Sequence, residues 1–165
     1  MHRTATTRAT GPGSATGPGS TATRALQAAL AAEQAAIYGY GVVGSHLGVS
    51  ARALATTDWT AHQVAADKLT ALLQSRGVTP DPAAVAYQLP HEVSTAAQAL
   101  SLAAALEDQV ASAYLGLVAL DEQSTRMLGA REVRTAALRA AAWRGRTVAF
   151  PGLPASALAS HPPGR

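Results

Sequence analysis

Four long segments of this chain repeat apolar residues at the spacing of an α-helix, and each is bounded by residues that start or stop helices. The segments cover about 23–47, 50–76, 95–120 and 124–143. Thr95 and Gln98 form a capping-box pattern, and Gly77 and Gly145 stand where the second and fourth segments end. Aromatic residues make up only 4% of the chain, whereas Ala, Leu and Val dominate its apolar residues. This composition favours helices over strands.

The connections between the segments predict how the helices are arranged. A short link at Gly48 predicts that the first two helices are antiparallel neighbours. Pro80, Pro82 and Pro90 prevent a long helix over 77–94, so this stretch is expected to be a long crossover between helices two and three, with room for one helical turn near 83–87. The predicted fold is therefore an all-α, antiparallel four-helix bundle made of two helical hairpins.

The two ends of the chain have a different composition from the helical segments. Residues 1–21 contain a short Gly-Pro repeat that predicts a disordered N-terminal tail. The bundle is expected over 22–153, with Phe150 anchoring an extended segment after the fourth helix. Residues 154–165 are predicted to form a flexible C-terminal tail.

Basic residues do not form a nucleic-acid-binding pattern in this sequence. The net charge is +3, but the arginines are scattered and Lys68 is the only lysine. No stretch reaches the roughly 18 uninterrupted apolar residues of a transmembrane helix. The absence of Cys removes disulfides and thiolate metal sites. We expect no nucleic acid and no membrane as partners, and a cytoplasmic location because no secretory signal pattern is present.

Two glutamates fall inside the apolar stripes of their helices. Glu33 lies on the apolar face of the first helix and Glu107 on that of the third, and each is followed seven residues later by a tyrosine, Tyr40 or Tyr114. A buried, unpaired carboxylate is costly. Each glutamate must therefore be protonated, hydrogen-bonded, ion-paired or bound to a metal ion.

Helices two and four offer partners for these carboxylates. His62 lies on the apolar face of the second helix, where Asp58 could join it in binding an ion or could hold its imidazole. Glu132 is the only carboxylate of the fourth helix, and a salt bridge to Arg139 competes with a role in metal binding. Glu33, His62, Glu107 and Glu132 would together suit iron or manganese.

These residues resemble the pattern of the ferritin-like superfamily, whose di-iron members carry one Glu on two helices and Glu-x-x-His on the other two. Glu33 and Glu107 match the single glutamates. The second helix reads Trp59-x-x-His62 and the fourth reads Glu132-x-x-Thr135, so half of each motif is missing. The resemblance implies a ferritin-like bundle with a degenerate di-metal site.

The chain also resembles an Ala-rich ferritin-like family from high-GC bacteria that is described only as a domain of unknown function. The resemblance covers roughly residues 25–153, and family members often begin the first signature with Glu-His where this chain has Glu33-Gln34. The matching stretches are 33–41, 76–78, 87–90, Glu107-Asp108, Trp143-Arg144 and 149–152.

Three functional hypotheses follow. The first is a non-enzymatic structural or interaction protein, expected to be a homodimer, whose buried glutamates remain from an ancestral metal site. The second is an iron- or manganese-binding protein with oxidase or ferroxidase activity. The third treats the arginines of the fourth helix as a surface for an acidic partner.

Overall fold

The structure is a computed structural model that describes residues 18–153. Within this range it has four helices and no strand, as the sequence predicts. The helices are α1 (Pro18–Ser45), α2 (Val49–Ser75), α3 (Ala96–Val118) and α4 (Gln123–Arg144). None of them combines the length and the hydropathy that crossing a membrane requires. Apart from residues 18–21, the predicted tails lie outside the described residues.

Local sequence signals explain most of the helix ends. The Thr95 side chain accepts a hydrogen bond from the backbone N–H of Gln98, and the Gln98 side chain accepts one in return, so the predicted capping box is confirmed. Gly77 and Gly145 follow α2 and α4 with φ angles of 70° and 71°. Such left-handed residues end a helix with little strain only when they lack a side chain. α1 begins earlier than expected, at Pro18, where the missing N–H costs nothing.

The core lies between the four helices, which pack closely on three sides and leave the side between α2 and α4 open. α1 packs against α2 and α3, and α3 packs against α4. Between α2 and α4 of the described chain, no pair of Cα atoms lies within 8 Å. Long side chains, described below, bridge this gap.

Gly129 allows α4 to approach α3 closely. A Cβ atom at this position would lie 2.9 Å from the backbone oxygen of Tyr114 and 3.0 Å from the backbone nitrogen of Val118. Backbone atoms of a packed helix cannot move aside independently, so a side chain at Gly129 would push the two helices apart.

Replacing Gly129 with alanine should lower the free energy of unfolding by about 1–3 kcal/mol, because overpacking outweighs the gain in helix propensity. Chemical denaturation would measure this change. Gly116→Ala is the matched control, because its Cβ would meet only Ala25 at an ordinary 3.8 Å. That control should be neutral or slightly stabilising, and an equal loss in both variants would contradict the steric explanation.

Residues 76–95, between α2 and α3, contain no helix and run along the outside of α1. The Gln27 side chain donates to the Thr79 carbonyl (2.8 Å), and the Gln34 side chain donates to the Asp81 carbonyl (3.1 Å). Gln34 therefore faces the connecting segment and not the buried glutamates.

The segment after α4 is attached to the bundle differently from the prediction. Phe150, the expected anchor, is 56% exposed. Gly152 makes the close contact instead: a Cβ built there would lie 2.8 Å from the Ser112 nitrogen of α3. Gly152 has a φ of 78°, which a residue with a side chain rarely adopts. Its backbone also lies directly on α3, so any side chain at this position would clash with that helix.

Candidate functional site

The centre of the bundle holds three ionisable side chains from three helices. Glu33 of α1, His62 of α2 and Glu107 of α3 are each at most 2% exposed. The Nδ1 atom of His62 lies 2.6 Å from Glu33 Oε2, and its Nε2 atom lies 3.0 Å from Glu107 Oε1. The predicted burial of both glutamates is confirmed, and the histidine connects them.

This geometry favours the protonated, positively charged form of His62. Both ring nitrogens face carboxylate oxygens, and only the imidazolium can donate a hydrogen bond from each nitrogen. Burial by itself lowers the pKa of His62. Hydrogen bonds and charge attraction from Glu107 and Glu33 outweigh this effect and raise the pKa to about 9. At neutral pH the site therefore contains a cation between two carboxylates.

Two buried tyrosines complete this arrangement. The Tyr40 hydroxyl donates a 2.6 Å hydrogen bond to Glu107 Oε1. Burial and the Glu107 carboxylate raise the pKa of Tyr40, and burial and the Glu33 carboxylate raise the pKa of Tyr114. In the repeated Glu-x6-Tyr pattern, each tyrosine therefore lies beside the glutamate of the other helix: Tyr40 beside Glu107, and Tyr114 beside Glu33. Both tyrosines stay neutral and can donate to a carboxylate.

Asp58 belongs to a second part of the network and does not hold the imidazole of His62. It accepts a hydrogen bond from Trp143 Nε1 at 2.9 Å and pairs with Arg139 Nε at 3.1 Å, both from α4. Burial raises the pKa of Asp58, and the Arg139 charge opposes that shift. The Tyr40 hydroxyl, whose hydrogen goes to Glu107, lies 3.5 Å from Asp58 Oδ2, so the two parts are adjacent.

Glu132 does not join the buried cluster. Its Oε1 atom lies 2.9 Å from an Nη atom of the adjacent Arg131 and 3.0 Å from that residue's Nε. Arg139, the partner considered from the sequence, is bound to Asp58 instead. The structure therefore brings together three of the four candidate metal ligands.

The donor set does not fit a di-metal centre. A di-iron site of the ferritin-like type uses two Glu-x-x-His pairs, but Trp59 stands where the Glu of the first pair is required and Thr135 where the His of the second is required. The one available imidazole has both nitrogens directed at carboxylates. Across residues 18–153, no three His, Asp or Glu side chains are arranged to hold a metal ion. One carboxylate oxygen, Glu107 Oε2, is buried without a hydrogen-bond partner.

Four arginines of α4 are bound to groups of the same chain. Their partners are as follows: Arg126 donates to the carbonyls of Leu120 and Asp121, Arg131 pairs with Glu132, Arg139 with Asp58 and Arg144 with Asp108. The hypothesis of a docking surface for an acidic partner stays a prediction.

Sequence reasoning missed the roles of Trp143 and Arg139 as partners of Asp58. The two residues are four positions apart, which places them on one face of α4. That spacing was a usable signal, but α4 has Ala and Arg on every side, so the sequence did not show which face points inward.

Comparisons with known proteins agree with this fold. A conserved hypothetical protein from Mycobacterium tuberculosis, rv2844, has a crystal structure that matches with a TM-score of 0.74 and 34% sequence identity. The match covers 77% of this chain and 97% of the mycobacterial chain. No curated protein matches. The family called "Domain of unknown function (DUF4439)" matches residues 25–155, and the chain belongs to this family.

Proposed function

We propose that this protein is a non-enzymatic structural or interaction bundle in which the His62 imidazolium replaces a metal ion. The supporting observation is that both nitrogens of His62 lie within hydrogen-bond distance of a buried carboxylate, at 2.6 Å and 3.0 Å. A cation in this position offsets the cost of burying Glu33 and Glu107, which is the role that a metal ion has in a ferritin-like site.

The surrounding residues support a structural role for the cluster. Glu33, His62 and Glu107 connect α1, α2 and α3, and Asp58 connects α2 to α4 through Arg139. A polar network whose members are hydrogen-bonded, with Glu107 Oε2 as the exception, specifies which helix faces meet in a core of small and apolar side chains. The network therefore gives the Ala-rich helices a defined register that alanine packing alone would specify weakly.

Metal content tests this proposal directly. Untagged protein purified without chelator should contain far less than one equivalent of iron or manganese per chain by plasma mass spectrometry. Incubation with Fe(II) or Mn(II) followed by desalting should leave that value unchanged. One or two retained ions per chain would overturn the proposal, provided that a Glu33→Gln and Glu107→Gln double variant lost them.

The competing function is an iron- or manganese-binding protein with oxidase or ferroxidase activity. One observation favours it. Glu107 Oε2 is buried without a hydrogen-bond partner, and the nearby Nε2 atom of His62 could coordinate a metal ion together with it. An occupied site would use Glu107 and His62 as ligands, with Glu33 holding the other imidazole nitrogen. The same metal analysis decides between the two functions.

We also infer that the fold is an antiparallel ferritin-like bundle with a long crossover. Cross-helix contacts support this direction of the helices, because Gly39 meets Leu106 while Gly116 meets Ala25, so α1 and α3 run in opposite senses. The helix-free segment 76–95 along α1 is consistent with the crossover. The homodimer and the cytoplasmic location stay predictions, and sedimentation analysis of the full chain tests the first.

A further inference from the structure

The open side of the bundle between α2 and α4 contains a groove that the buried cluster does not use. At one end, Arg139 and Trp143 reach across to Asp58. At the other end, Arg76 reaches across to Glu122 (2.7 Å) and Thr125 (2.8 Å). These long side chains hold the two helices at both ends while the helices themselves stay apart.

Between the two bridges lies a cavity of about 380 Å³. This volume falls within the range of small-molecule sites in proteins. Small residues of α2, Ala61 and Ala65, leave the space open. Its walls and floor are formed mainly by apolar side chains, namely Val64, Leu69, Leu128 and the ring of Tyr114.

The polar residues of the groove define the charge that a ligand would need. Thr57 and Thr60 already donate their hydroxyl hydrogens to backbone oxygens of α2. Arg139 is paired with Asp58. Lys68 also lines the groove, and within the described residues it takes part in no ion pair. Glu132 lines the groove as well, and its carboxylate is paired with Arg131. Lys68 is therefore the one charged lining residue without an ion pair in the described part of the chain, and it lies beside an apolar channel.

The shape of the groove indicates an elongated ligand. The lining positions of α2 extend from Thr57 to Leu69, which corresponds to about 18 Å of helix. An unbranched apolar chain can lie along such a channel and remove Val64, 47% exposed in the described chain, from water. An anionic head at the Lys68 end would pair with the ammonium group.

We propose that the groove between α2 and α4 is a binding site for an amphipathic organic carboxylate with an unbranched apolar chain. Its head pairs with Lys68, and its chain lies on Leu69, Leu128 and Tyr114. The groove shares Tyr114 and Arg139 with the buried network, but ligand binding does not depend on the proposed structural role of that network.

Calorimetric titration of the full chain with decanoate tests the site. Saturable binding with one ligand per chain is expected. Decylamine, which has the same chain length and a positive head, should bind at least tenfold more weakly because Lys68 repels it. Equal affinity for the two ligands, or no saturable binding of decanoate below its aggregation range, would overturn the proposal.

Two variants locate the binding. Lys68→Gln should weaken decanoate binding about fivefold, the effect of losing one partly exposed ion pair. Ala61→Leu with Ala65→Leu should fill the groove and abolish binding. Their controls are Arg134→Gln and Ala53→Leu, which change exposed residues of α4 and α2 outside the groove.

Circular dichroism and thermal melting show whether the groove-filled variant folds. If it does not, the Lys68→Gln result and the comparison of the two ligand charges still decide the question. Decanoate affinity that is unchanged in Lys68→Gln, or that falls as much in Arg134→Gln, would place the ligand elsewhere and contradict this site.

Discussion

His62→Leu is expected to lower the free energy of unfolding by about 3–5 kcal/mol, the range measured when one partner of a buried ion pair is removed. The leucine would leave Glu33 and Glu107 buried without the cation between them. Tyr40 would still donate to Glu107, but a neutral donor compensates a buried charge only in part. Urea denaturation followed by circular dichroism would measure the change.

Two comparisons identify the cause of that loss. His46→Leu makes the same chemical change at a half-buried histidine outside the cluster and should cost less than about 1 kcal/mol. Combining His62→Leu with Glu33→Leu and Glu107→Leu should recover much of the lost stability, because a buried ionic group can often be replaced as a whole by apolar residues. A triple variant no more stable than His62→Leu would mean that the carboxylates themselves stabilise the fold.

The stability of the protein should also fall between neutral and alkaline pH. The pKa of His62 is raised from 6.5 to about 9 in the folded chain, so the folded state holds this proton more tightly than the unfolded state. The resulting stabilisation is fully present below pH 6.5, declines as the pH rises, and is lost above about 9. Its size is on the order of 3 kcal/mol.

Denaturation curves recorded near pH 6 and near pH 9 would measure this dependence. The pH-dependent difference between the wild type and His62→Leu isolates the contribution of His62 from that of every other titrating group. Wild type should lose stability over this interval by more than the variant does. Parallel curves would show that folding does not raise the pKa of His62, which would contradict the proposed imidazolium.

The two results also bear on the choice between a structural and a metal-binding cluster. A histidine that ligates a metal must be neutral at the ligating nitrogen, so metal binding would compete with protons. A protonated His62 between Glu33 and Glu107 already compensates the carboxylates. Stable folding of the metal-free protein near neutral pH, together with loss of stability at alkaline pH, is what the structural proposal expects.

Local sequence signals were sufficient to predict the helices. The capping box of Thr95 and Gln98, and the glycines at 77 and 145, act through hydrogen bonds and backbone angles within a few residues. The burial of Glu33 and Glu107 was equally predictable, because each lies within a clear apolar stripe. Such a stripe shows which face of its helix turns toward the core.

What the sequence by itself determined is therefore the four helices, most of their ends and the inward position of two glutamates, since these depend on short-range geometry. Only the tertiary structure decided that His62 connects both glutamates, that Asp58 pairs with residues of α4, and that Glu132 pairs with Arg131. The contacts of Asp58 and Glu132 depend on the rotation of α4, whose wheel has no apolar stripe, and on the spacing between α2 and α4. The contacts of His62 depend on how α1 packs against α2 and α3. These arrangements are set by packing among residues far apart in the chain.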